Sequence, residues 1–179
     1  MLFLILIKRL VLPKFLSMPK FRLLSHEELK EFEKEFIDYL VVNGITGEDW
    51  GRIKENQPKE AIKIMDLFSD VIFEAVMRKI EFLEIRTPKE VQTFQSTSTK
   101  LVMVGMKIDP ESEIDFTIPE DIEKAMQAPP GNIEVYTVSR EYKLEREQEL
   151  FAMTENGARI TDGKLFKALS LALAESKES

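Results

Sequence analysis

Hydrophobic positions fall at helical spacing in the first half of the chain, alternate in the middle, and return to helical spacing at the end. The longest regular stretch, residues 60–81, contains neither glycine nor proline. At about 100° per residue, Asp66, Asp70, Glu74 and Arg78 share one narrow stripe, with Lys63 and Glu81 beside it. Ala61, Ile62, Ile64, Met65, Phe68, Val71, Ile72, Phe73, Ala75, Val76 and Ile80 fill most of the remaining circumference. A helix polar along one stripe and apolar elsewhere is a central core helix, and Pro58 fits its first turn because the missing N–H is not needed there. The long central helix is thus placed near 58–81. Its polar stripe reads as a solvated face, so Asp70→Asn is expected to change stability by less than about 0.5 kcal/mol. Phe68→Ala, in the core, is expected to cost about 3–5 kcal/mol.

Ahead of it, Ser25 and Glu28 form a capping box for a helix with Leu29, Phe32, Phe36, Tyr39 and Leu40 on one side, closed by Asn43-Gly44. Thr46 and Asp49 open a short second helix containing Trp50 and Ile53. From Phe82 the period changes. Residues 82–86 alternate loosely, Thr87-Pro88 breaks any helix, and residues 91–95 and 100–108 read as strands joined by a small polar turn. The second of these is apolar on both faces and belongs inside the sheet. Pro119 to Gln127 reads as a helix, Pro129-Pro130-Gly131 as a turn, and residues 133–138 as a strand. A helix is expected over 141–154 with Glu141, Glu145 and Glu149 as an exposed acidic row and Leu144, Leu150 and Phe151 as anchors. After the turn at Asp162-Gly163, the last helix offers Leu165, Phe166, Leu169, Leu171 and Leu173 to the core. The order of elements predicts an α+β fold: three to four strands, mixed or antiparallel, packed against the N-terminal helices. A β–α–β crossover between residues 100 and 138, giving one parallel pair, stays open.

Composition narrows the chemistry. No cysteine is present, which removes disulfides, thiolate nucleophiles and cysteine-ligated metals, and fits a cytoplasmic location. His26 is the single histidine, so multi-histidine metal sites are excluded. It sits in a first helical turn beside two glutamates and reads as exposed. The net charge is −7, and beyond residue 17 it is −10, from 22 basic and 32 acidic residues. Such a domain repels phosphate backbones, so no nucleic-acid partner is expected. Residues 1–17 carry an apolar run before Lys8, Arg9 and Lys14, the reverse of a secretory leader. They are too short to span a bilayer. They read as an extension upstream of a true start at Met18, in preference to a membrane-surface anchor. One domain is expected over 18–174, with 175–179 a frayed tail.

Three groups of residues suggest chemistry. The Asp66–Asp70–Glu74–Arg78 stripe brings carboxylates together at i,i+4, but lacks the Glu-x-x-His partner of a helical di-metal site. Glu74 to Arg78 is instead the favourable order for an ion pair. Lys79 falls near Ala61, Phe68 and Ile72, where a buried lysine becomes a nucleophile; at the end of a helix its stem reaches solvent instead. Asp162-Gly163-Lys164 at a helix start reads as a capped turn rather than an anion site. No catalytic residue, cofactor or metal ligand is assigned.

The stretches MPKFRLL (18–24), FIDYLVVNGI (36–45), LFSDVIFEAV (67–76) and ENGARITDGKLFKALSLAL (155–173) resemble a domain-of-unknown-function family of Bacteroidetes-type bacteria. The resemblance runs from Met18 to about Leu173. It implies a cytoplasmic bacterial protein and carries over no functional residue. Two readings follow from the residues. The leading one is a non-catalytic interaction or regulatory module, with one spare apolar edge for a protein partner or homodimer. Its rival is a small enzyme or ligand-binding protein using carboxylates and lysine, with a pocket lined by several of Asp66, Asp70, Glu74, Lys79 and Arg86.

Overall fold

A computed structural model describes residues 19–178; the proposed extension over 1–17 and the final residue of the tail lie outside the described residues. The chain divides into two compact units after Val76.

The first unit is helical. α1 (His26–Glu31) begins with the expected capping box, Ser25 and Glu28 each bonding to the other's backbone N–H. α2 (Glu33–Val42) follows after a break at Phe32, whose backbone leaves helical geometry. The single helix read from the apolar stripe is therefore two. Gly44 ends it in the left-handed conformation, φ 75°. α3 (Gly47–Asn56) has the Thr46–Asp49 capping box. α4 (Pro58–Met77) is the long helix, and it stops four residues short of Glu81, Arg78 and Lys79 lying in a turn. Phe68 is fully buried, its ring 4.9 Å from Phe36 and 5.4 Å from Tyr39, with Trp50 edge-on to Phe36 at 5.2 Å.

The second unit is built on a five-stranded antiparallel sheet: β1 (Phe82–Thr87), β2 (Glu90–Ser96), β3 (Lys100–Ile108), β4 (Ile133–Glu141) and β5 (Arg159–Thr161), in the order β4-β3-β2-β1-β5. Among the described residues five strands replace the expected three to four, and no pair is parallel. The strand missed is β5; three residues behind the Asn156-Gly157 turn show no period of their own. The crossover reading fails because α5 (Pro119–Gln127) returns the chain antiparallel to β3, which lies inside the sheet as its two apolar faces require.

One sheet face carries Phe82, Val91, Val104, Met106 and Ile108, packed with Phe116, Ile122 and Ala125 near α5 and with Phe166 and Leu169 of α7 (Lys164–Glu178). Leu171, expected in this core, is exposed because it lies on the opposite side of α7 from Leu169. The other face carries Leu83, Phe94 and Leu101, packed with Leu150 of α6 (Arg146–Glu155), Ala158, Met77 and Ile80. α6 starts five residues later than the periodicity suggests. Pairing of Glu141 with Lys100 extends β4 through Glu141 and overrides the local helical pattern. Glu149 is consequently buried rather than part of an exposed row, and Leu144 is exposed rather than an anchor.

Candidate protein-interaction surface

The acidic stripe of α4 is mechanical. The Asp70 carboxylate accepts the Lys20 N–H through both oxygens at 3.0 Å and the Phe21 N–H at 3.0 Å. Ser69 accepts the Leu24 N–H at 3.0 Å and donates to the Met65 carbonyl. Lys20 reaches Glu74 at 3.9 Å, and Arg22 lies over the Phe73 ring while pairing with Glu28. These contacts hold the strap 20–24 along the helix. Burial pushes the Asp70 carboxyl up, opposed by the two N–H groups and the Lys20 ammonium. The solvated-face reading is therefore corrected at Asp70: a part-buried segment without secondary structure needs acceptors for its N–H groups, and this side chain supplies one.

The remaining singled-out residues do not converge. Asp66 is half-buried on α4, Lys79 is exposed in the turn, and His26 is exposed. Arg86 binds Glu84, a buried carboxylate two residues earlier on β1. Asp162 caps α7, accepting the Lys164 N–H at 3.0 Å and pairing with its ammonium at 2.7 Å. No group of three or more His, Cys, Asp or Glu with metal-binding geometry occurs among the described residues. No helix among them is long and apolar enough to cross a membrane.

A different surface lies at β4. The strand pairs with β3 over nine consecutive residues, Ile133 with Ile108 through Glu141 with Lys100, without a bulge. It forms one margin of the sheet, and Thr137 to Glu141 are all exposed. Val138 is 53% exposed, a large apolar side chain on a margin that no further strand pairs among the described residues. Beside the strand the registers align a charged row, Thr87, Glu90, Lys107 and Glu134, next to a second row, Ile85, Gln92, Gly105 and Tyr136. The Tyr136 ring lies over Gly105, where a Cβ would fall 2.4 Å from it. Its hydroxyl donates to Glu90, and the Lys107 ammonium sits 5.7 Å from the ring centre and 3.1 Å from Glu134. Burial, then the hydrogen bond to Glu90, pushes the Tyr136 phenol up, away from any acid–base role near neutrality. Lys89 donates to the Ser112 and Ile114 carbonyls. An open groove of about 460 Å³ at this end is lined by Lys89, Glu90, Lys107, Asp109, Asn132 and Glu134 among others.

The far end of β4 is braced by α6. Glu149 accepts the Leu144 N–H at 3.0 Å and the Lys143 N–H, and Arg140 pairs with it at 2.6 Å. Burial alone would push the Glu149 carboxyl up; the Leu144 N–H, the Arg140 guanidinium and the Lys143 N–H outweigh it and hold it below the usual range. Tyr142 donates to the Thr97 carbonyl, and Arg146 donates to the carbonyls of Thr97, Met77 and Ile80.

A family of unknown function, DUF6495, matches residues 18–174. The chain belongs to this family. No curated protein matches it, and no solved structure does. The start of the DUF6495 match at Met18 coincides with the start of the resemblance noted in the sequence. The signal for β4 was present as well: Ile133 and Val135 alternate with Glu134 and Tyr136. What periodicity alone does not show is that the strand continues to Glu141 and lies at a margin.

Proposed function

We propose that the chain is a non-catalytic protein-interaction module whose binding element is the outer side of β4. One observation carries this reading: a nine-residue marginal strand with no bulge and no proline, six of whose residues are exposed. Sheet margins present unpaired N–H and C=O groups, and proteins that do not use them shorten, kink or cover them. An added strand satisfies those groups, while alternate side chains give selectivity. A cytoplasmic setting belongs to this proposal and accords with the absence of cysteine.

A second reading, a polar-ligand site, draws on the groove at Lys89 and Glu134. It is the weaker of the two, because the groove is wide open and Glu90, Lys107 and Lys89 are already engaged with Tyr136, Glu134 and main-chain carbonyls. The test is capture from native lysate by the wild-type chain and by Val138→Lys, a change that places a cation on the free margin. Wild type is expected to retain a defined partner, itself or another protein, that the variant loses. Identical captures by the two would contradict the proposal.

A further inference from the structure

We infer that the partner of β4 is β4 of a second copy of this chain, paired antiparallel about a two-fold axis through Thr137. The inference rests on the reading of β4 as the binding element, and the sequence of the strand carries it. In the antiparallel register that places Thr137 opposite Thr137, all nine residues from Ile133 to Glu141 are paired. Glu134 then lies opposite Arg140, and Tyr136 opposite Val138, each pair occurring twice by symmetry. Directly opposed side chains on one face approach to about 5 Å between Cβ atoms, close enough for ion pairs and for aromatic packing on a β-branched residue.

Shifting the axis by one residue destroys this match. Centred on Tyr136, the strands set Glu134 against Val138; centred on Val138, they set Tyr136 against Arg140. Only the Thr137 centre joins opposite charges and sets an aromatic residue opposite the exposed Val138. Val135 meets Ser139 on the reverse face, and the outermost pair, Ile133 with Glu141, is the one mismatch. Both charges are accessible to a partner: Glu134 is 61% and Arg140 43% exposed even with Lys107 and Glu149 beside them. An isologous contact of this kind is self-complementary and closes at two copies. The other margin of the sheet, β5, has only three residues and offers no comparable ladder.

Light scattering on the purified chain, with one pair of charge variants and two cysteine variants, tests the inference. Wild type is expected to be a dimer. Glu134→Arg and Arg140→Glu each set like charges opposite one another twice, and each is expected to lose the dimer at a concentration where wild type keeps it. An equimolar mixture of the two variants restores opposite charges at every such position and is expected to dimerise. Because the chain has no cysteine, Thr137→Cys places one thiol opposite its own copy. The Cα separation of about 4.5–5.5 Å is within disulfide range, so oxidation should link the dimer covalently. Ser139→Cys sets the two thiols about 13 Å apart along the strands and should not cross-link. A wild-type chain that stays monomeric overturns the self-pairing; so does a dimer that cross-links through Ser139→Cys and not Thr137→Cys. Neither result touches the broader interaction reading, which the Val138→Lys capture judges on its own.

Discussion

The two margins of the sheet are built differently. At one, β5 pairs only three residues with β1, and the chain turns at once through Gly163 into α7. Gly163 has φ 75°, and a Cβ there would fall 2.5 Å from the Phe82 ring, so the segment is fitted tightly against the core. At the other, β4 runs for nine residues, with Tyr136 packed over Gly105 and Thr137 to Glu141 exposed. One margin ends after three residues, closed by the turn into α7 although Ile160 on it is 57% exposed; the other runs for nine residues and stays open among the described residues. Packing alone does not require a strand of that length at a margin, and this difference is why β4 is read as functional.

The comparison can be broken at either end. The largest effect is expected at the closed margin. Gly163→Ala forces an L-residue into left-handed geometry and a methyl into a buried ring, and should cost about 3 kcal/mol in a denaturant melt. A loss near zero would mean that this margin is as loosely held as the open one. Second comes Asp70→Asn in the helical unit, which removes the charge and sets an amide NH2 against the Lys20 N–H, and should cost about 1–3 kcal/mol. That exceeds the figure expected from the stripe alone, and a change below about 0.5 kcal/mol would return Asp70 to the solvated class.

Smaller effects belong to β4. Gly105→Ala displaces the Tyr136 ring rather than the backbone, and about 1 kcal/mol is expected, together with loss of the Tyr136–Glu90 hydrogen bond as seen by NMR. A pH titration separates the brace at Glu149. Its carboxyl is held below the ordinary value in the folded chain, so its contribution is present above the unfolded value and lost as pH falls through the folded one. Arg140→Gln should move that titration upward. Glu28, held at about 2 by Arg22 and the Ser25 N–H, should be unaffected. Smallest in stability is Val138→Lys, expected within about 0.5 kcal/mol of wild type, because the side chain faces solvent. Its effect should appear in partner capture alone.

Much of the fold is legible in the chain. The Ser25–Glu28 capping box, the helix start at Thr46, the full extents of β3 and α5, and the burial of Phe68 follow from local spacing and cap chemistry. Three of the misreadings share one cause, a nonlocal contact. Glu141 has a helical surrounding in sequence but a strand partner in Lys100. Asp70 has a solvated position on its helix but main-chain donors some fifty residues away at Lys20 and Phe21. β5 exists only because β1 is there to pair with it. The interaction surface was legible as an alternating strand but not as a margin, since strand order is a property of the whole sheet.

The most direct test of the account is amide hydrogen exchange across the sheet, comparing the complex recovered from native lysate with the dissociated chain. The account predicts that exchange in β4 slows on association while the amides of β1 and β5 keep their rates. Equal rates in β4 in the two states, with new protection elsewhere, would contradict it.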